Sequence, residues 1–144
     1  FEFLSSIPGT VGGGVSMNAG CFGSNMSNIV SQISVIDLSG EEKIITLKNI
    51  GFDYRKTALL NSYIITEVLF KKTKKIQSSV IENKINLLKK KKNENQPSGI
   101  RTGGSTFKNP IGSSKKAWEL IKESDCESFE VGDAKISKKH CNSS

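Results

Sequence analysis

The sequence predicts a mixed α+β fold. Two β patterns, over residues 33–48 and 63–71, are followed by a change to helical period from Ile76 to Lys92. Between Pro8 and Ser24, two clusters of small residues break the N-terminal part into loops. With 144 residues, 35% apolar and 24% charged, the chain is long enough to bury a core and too apolar for obligate disorder. Its longest apolar runs, such as Val68-Leu69-Phe70, offer no membrane-crossing helix. No initiator Met and no basic-then-apolar leader are read, and the sequence is expected to be a piece of a longer protein.

In order, the first small-residue cluster is Pro8, Gly9, Thr10, Val11, Gly12, Gly13 and Gly14, and the second runs from Asn18, Ala19 and Gly20 to Ser24. Two such clusters within so short a stretch suggest backbone packed against a flat ligand. Neither the dinucleotide GxGxxG pattern after a strand nor a P-loop is present. Ile33 to Leu38, a turn at Ser39-Gly40-Glu41 and a return from Lys43 to Leu47 predict a hairpin. Tyr63 to Lys71 is apolar on both faces and predicts a strand inside a sheet covered on both sides. Ile81, Ile85 and Leu88 predict one apolar stripe of a helix whose Lys89–Lys92 run lies at the favourable C-terminal end. Gln96-Pro97-Ser98-Gly99 breaks it, and Ser113 or Ser114 is expected to cap a short helix through Trp118, Leu120 and Ile121.

The net charge is +7, and nineteen of the twenty-one basic residues are Lys. No aromatic interleaves with the main Lys runs, so a solvated basic surface explains them better than a nucleic-acid-binding module, which with a non-functional remnant is the competing reading. Only Arg55 and Arg101 offer the planar fork suited to carboxylate or phosphate. Cys21, Cys126 and Cys141 are widely spaced and form no zinc pattern with His140, so no metal is expected and the reducing cytoplasm is the expected compartment.

Site-like chemistry concentrates at Thr102-Gly103-Gly104-Ser105-Thr106-Phe107-Lys108-Asn109-Pro110, where a Ser with open access precedes a cation and an amide. Asp53-Tyr54-Arg55 forms a second such point, on a short loop between strands. A single His and no GxSxG elbow make Ser105 a poor nucleophile, whereas a serine proton donor needs no triad.

These motifs, together with Ser6-Ile7-Pro8-Gly9-Thr10-Val11-Gly12-Gly13, Met17-Asn18-Ala19-Gly20 and Gly132-Asp133-Ala134-Lys135-Ile136-Ser137-Lys138-Lys139-His140-Cys141-Asn142, stand in the order of a known family. The chain resembles UDP-N-acetylenolpyruvoylglucosamine reductase, the MurB family, in its subtype with a short Tyr-Arg loop. The resemblance implies the C-terminal part of a vanillyl-alcohol-oxidase-type FAD-binding domain at residues 1–75, then an incomplete α/β substrate-binding domain at residues 76–144. It implies FAD and NADPH as cofactors and a UDP-sugar as the small-molecule substrate, with neither nucleic acid nor membrane as partner. Pro8, Gly9, Thr10, Val11, Gly12, Gly13, Asn18, Ala19 and Gly20 would lie against FAD. Hydride from reduced flavin would reach C3 of the enolpyruvyl group, Ser105 would protonate C2, and Arg55 would face the carboxylate. Tyr54, Lys108 and Asn109 would join Arg55 and Ser105 in contacting substrate. The family's remaining flavin contacts and its catalytic Glu match no residue here, which implies little or no turnover by this chain alone.

Overall fold

A computed structural model describes residues 1–59, 62–97 and 102–143. They group into two compact units, Phe1–Lys89 and Lys90–Ser144. The division falls within the helix that the sequence places at the start of a second domain.

The first unit opens with a 3₁₀ turn, Glu2–Ser6, and helix α1, Val11–Ser16. Sequence reading makes α1 a loop, because its central residues Gly12, Gly13 and Gly14 disfavour helix. Capping and packing override that propensity. Thr10 Oγ1 accepts a hydrogen bond from Gly13 N at 3.1 Å. A side chain on Gly12 would stand 3.6 Å from Ile65, and one on Gly14 would stand 3.6 Å from Met26, so α1 lies close against its neighbours.

A tight hairpin, β1 (Gly20–Cys21) and β2 (Ser24–Asn25), leads through α2 (Met26–Ile29) into β3 (Val30–Asp37). Strand β4 (Glu42–Thr46), α3 (Leu47–Ile50), the hairpin β5 (Phe52–Asp53) and β6 (Lys56–Thr57), and β7 (Tyr63–Phe70) follow. Strands β4, β3 and β7 form an antiparallel sheet with β3 in the centre. The expected hairpin is present, beginning at Val30 rather than Ile33.

Asp37 organises its turn. Its Oδ1 accepts from Ser39 N at 2.9 Å, Ser39 Oγ at 2.6 Å and Glu41 N at 3.0 Å, while Lys43 Nζ stands 2.7 Å from Oδ2. Gly40, at φ +89°, supplies the left-handed step that closes the turn.

The pairing of β3 with β7 is interrupted between Val30 and Gln32 and between Ser34 and Val35. Each interruption shifts the alternation by one residue. Val30, Ile33 and Val35 therefore share the buried face, opposite Phe70, Val68 and Ile65. With Val15, Met26 and Ile50 they form the core, at about 1.5–3 kcal/mol for each large apolar side chain removed from water.

The opposite face of the sheet differs from expectation. Ile44, Ile64 and Leu69 are 69%, 65% and 53% exposed, and β7 is an edge strand of the described sheet. The apolar pattern of Tyr63–Phe70 thus reflects one buried face and one open face. The physical reason is that the core residues Val15 of α1, Met26 of α2 and Ile50 of α3 gather on the face of Val30, Ile33 and Val35.

Helix α4, Ser78–Asn95, bears out the helical period: Ile81, Ile85 and Leu88 are half-buried on one stripe. Lys84 anchors it to the 3₁₀ turn through Glu2 at 3.1 Å.

The second unit contains the end of α4, α5 (Ala117–Glu123), a 3₁₀ turn at Cys126–Ser128, and the hairpin β8 (Glu130–Val131) and β9 (Ala134–Lys135). The serine cap expected for α5 is not formed: Ser113 Oγ accepts from Lys115 N at 3.0 Å, one turn too early. Instead Asn109 Oδ1 accepts from Ala117 N at 3.0 Å and Glu119 Oε2 from Lys116 N at 2.7 Å. Glu119 reaches back from the first turn, and this moves the start of the helix to Ala117. Ser98, Gly99 and Arg101, singled out in the sequence, lie outside the described residues.

The Lys43 ammonium and the Ser39 hydroxyl hold the Asp37 carboxyl well below the usual carboxylate range. A depressed carboxyl stabilises the fold above the ordinary carboxylate pKa, and the gain is lost as pH falls through its lowered folded value. Asp37→Asn therefore lowers the urea midpoint of the chain at pH 7, and its deficit against wild type shrinks below about pH 4. Urea titrations at pH 7 and pH 3 check the sign.

Candidate active site

The small-residue segments form a groove of about 490 Å³ in the first unit. Pro8, Gly9, Thr10, Val11, Gly13 and Ala19 line it, with Leu4, Ile7, Met17 and Met26 as apolar walls. Nothing lies within 4 Å of the position a Gly9 side chain would take, so the groove is open there. The other three residues expected to touch a cofactor have internal uses. Gly12 packs on Ile65. At Gly20 a side chain would collide with the Ser24 carbonyl, so the β1–β2 hairpin requires glycine.

Asn18, only 7% exposed, fastens two loops. Its Nδ2 donates to Asp53 O at 3.0 Å, and its Oδ1 accepts from Ser27 N at 3.1 Å. The residue adopts φ +42°, which asparagine tolerates better than most residues. The Tyr54–Arg55 turn between β5 and β6 is thereby tied to the glycine-rich segment. Arg55 sits at φ +58°, donates from Nη2 to Gly20 O at 3.0 Å, and lies 5.3 Å from the centre of the Tyr54 ring. Asp53 pairs with Lys56 at 3.1 Å rather than with Arg55. The Tyr54 backbone N–H and then Lys56 draw the Asp53 carboxyl below its ordinary range.

In the second unit, Ser105 stands on the wall of a cavity of about 870 Å³, with Asn109 and the cations Lys116, Lys122, Lys138 and Lys139. Among the described residues the Ser105 hydroxyl has no hydrogen-bond partner, and the residue is exposed. Gly104 precedes it at φ +80°. Lys108 lies apart from this cavity, along an apolar groove formed by Phe107, Pro110 and α5. Asn109 lines the cavity and also caps α5. Tyr54 and Arg55 belong to the first unit, and Ser105, Lys108 and Asn109 to the second.

Residues 96–143 match the family model described as UDP-N-acetylenolpyruvoylglucosamine reductase, C-terminal domain. Over 99% of its length the chain is 47% identical to the UDP-N-acetylenolpyruvoylglucosamine reductase of Pelagibacter ubique. It is 44% identical to the protein of that name from Rickettsia conorii, also over 99% of its length. Its structure is similar to the crystal structure of the reductase (MurB) from Thermus caldophilus, with a TM-score of 0.85 and 34% identity over 99% of this chain and 51% of that one. Along 99% of its length the chain is thus similar to UDP-N-acetylenolpyruvoylglucosamine reductases. It spans 47% of the length of the two curated relatives. The family's relatives are named as reductases, so it is a family of oxidoreductase enzymes.

Sequence reading misses Asn142 as a structural anchor, because a polar tail gives no signal of burial. Asn142 is 4% exposed and holds Phe107 through both amide atoms. The use of Asn18 is hidden in the same way, since its partners lie 9 and 35 residues away.

Asn18→Ala leaves the Asp53 carbonyl and the Ser27 N–H without their partner. It is expected to cost about 1–3 kcal/mol of folding stability by urea unfolding. The loss is accompanied by faster amide exchange at Tyr54, whose N–H relies on the Asp53 carboxylate in the same turn.

Proposed function

We propose that this chain carries part of the machinery of an FAD- and NADPH-dependent reductase. Its substrate would be the enolpyruvyl group of UDP-N-acetylglucosamine-enolpyruvate, and its product UDP-N-acetylmuramate, for peptidoglycan synthesis. The observation that carries this reading is the placing of an unengaged Ser105 hydroxyl in a lysine-lined cavity large enough for a nucleotide sugar. Lys116, Lys122, Lys138 and Lys139, of which Lys139 also donates to the Asn93 carbonyl, outnumber Glu127 on the wall and suit a diphosphate, because an ammonium neutralises an anion without demanding one geometry.

The groove of the first unit fits a flat apolar ring: its walls are aliphatic, and the Gly9 position is open. Pro8, Gly9, Thr10, Val11, Gly13 and Ala19 would hold the flavin. FAD bound there supplies the redox chemistry, with NADPH as the source of hydride. Ser105 then delivers a proton to C2 of the enolpyruvyl group. An unperturbed hydroxyl is a feeble acid, so the step requires a strongly basic carbon held within hydrogen-bond reach. Arg55 opposes the substrate carboxylate, where a fixed guanidinium stabilises charge that grows during reaction. Its left-handed backbone and its bond to the Gly20 carbonyl keep the side chain from drifting. Tyr54 shields one face of that guanidinium.

Two measurements test the reading. Added FAD is expected to bind the chain with quenched flavin fluorescence, and Gly9→Val is expected to weaken that binding at least tenfold by filling the open wall. Unchanged binding by the variant contradicts the flavin assignment. In a full-length protein carrying this segment, Ser105→Ala leaves NADPH-dependent reduction of bound FAD as in the parent, while reoxidation by the enolpyruvyl substrate falls by about 10²-fold or more. Equal reoxidation rates in the two proteins contradict the proton-donor role.

A further inference from the structure

The Ser105 loop has no regular element to satisfy its backbone; it is exposed from Thr102 to Pro110. One buried side chain grips its backbone. Asn142 Nδ2 donates to Phe107 O at 2.8 Å, and Asn142 Oδ1 accepts from Phe107 N at 2.9 Å. The amide thus closes a two-bond ring with a single residue's backbone, as a paired strand would. The neighbouring backbone extends the pairing: Thr106 N donates to Asn142 O at 2.9 Å, and Ser105 forms an antiparallel bridge with Ser143. Asn142 and Ser143 are 4% and 5% exposed, although both lie in a polar tail. That tail is itself fixed, since Ser137 N donates to Ser143 O at 2.8 Å and Ser143 N to His140 O at 2.9 Å.

We propose that Asn142 is the positioning residue for Ser105. Its amide is a two-pronged clamp that sets where the Ser105 hydroxyl stands on the wall of the cavity, which Asn142 also lines. The proposal rests on the reading of Ser105 given above, and it explains why this position requires a carboxamide. A donor and an acceptor must be presented in one plane, 2.8 and 2.9 Å from the carbonyl and the N–H of Phe107. An aliphatic residue offers neither, and an ionised carboxylate offers only acceptors, one of which would face the Phe107 carbonyl. A protonated carboxyl, in contrast, offers one donor and one acceptor in the same plane.

Asn142→Asp therefore makes the clamp switchable by pH. The neutral acid is favoured by burial and by its bond to the Phe107 carbonyl, so its pKa is expected above the ordinary aspartate range. The experiment compares wild type, Asn142→Asp and Asn142→Ala in the full 144-residue chain. It reads amide exchange at Thr106 and Phe107 and the ¹³Cβ shift of Ser105 between pH 4 and pH 8, with intrinsic exchange divided out. Wild type is the reference for pH effects carried by other groups, such as His140, whose Nδ1 lies 3.3 Å from the Ser143 hydroxyl. In Asn142→Ala protection at Phe107 falls about tenfold or more at every pH. In Asn142→Asp it is lost at pH 8 and recovers at pH 4, with the Ser105 shift following the same titration. Protection at Ile33, in the core strand of the other unit, serves as the reference and stays unchanged.

Retained protection in Asn142→Ala, or a Ser105 shift in Asn142→Asp that ignores the recovery at Phe107, overturns the proposal. Addition of UDP-N-acetylglucosamine-enolpyruvate to wild type separates it from the functional reading. No response at Ser105 contradicts the substrate assignment, whereas the clamp is decided by the ligand-free exchange and shift data alone.

Discussion

Side-chain amides bonded to backbone hold the loops on which the candidate functional residues stand. Asn18 joins the Asp53 carbonyl to the Ser27 N–H in the first unit, and Asn142 joins the N–H and the carbonyl of Phe107 in the second. Loops rich in glycine lose much conformational entropy when ordered, and an exposed loop has no ladder to offset that loss. A buried carboxamide supplies a donor and an acceptor with few rotatable bonds, and leaving either unmade in the interior is costly. Arg55 and Ser105 stand on the loops these anchors hold rather than serving as anchors themselves. That leaves the Ser105 hydroxyl available for a ligand, while the Arg55 fork is steadied by one carbonyl.

The two units reach order by different routes. In the first, β3 is the hub: both its neighbours pair with it, and its buried Val30, Ile33 and Val35 meet α1 and α2 through Val15 and Met26. The register interruptions matter here, because without them the alternation would carry one of these residues to the open face. In the second, Ala117 is the apolar residue buried among the described residues, and polar contacts dominate. Phe107, Ile111, Phe129 and Val131 stay more than half exposed. Its local geometry depends correspondingly on caps and clamps such as Asn109, Glu119 and Asn142.

Much of this was legible in the residues. The β3–β4 hairpin and the α4 stripe follow from periodicity, because each depends on contacts near in sequence or on one repeating face. Helix α1 was not legible, since its three glycines oppose helix and the Thr10 cap with packing on Ile65 and Met26 overrides that propensity. The open face of β7 was missed for a related reason: an apolar pattern reports what a strand can bury, and only the assembled sheet shows what lies against it. Ser105 and Arg55 stood out as chemistry because a free hydroxyl after two glycines and a rare guanidinium are unusual locally. The anchors did not stand out, since asparagine in a loop or tail has the composition of ordinary surface and its burial is a tertiary property. Lys116, Lys122, Lys138 and Lys139 were dispersed among a general lysine excess, and only folding gathers them around one cavity.

The seat of an enolpyruvyl UDP-sugar is the central claim, and a crystal structure of the chain soaked with UDP-N-acetylglucosamine-enolpyruvate measures it directly. It should show the diphosphate among Lys116, Lys122, Lys138 and Lys139, the Ser105 hydroxyl within hydrogen-bond reach of the enolpyruvyl C2, and the Asn142 clamp intact. A ligand seated away from Ser105, or a Ser105 loop that leaves Asn142 to bind it, would contradict that claim.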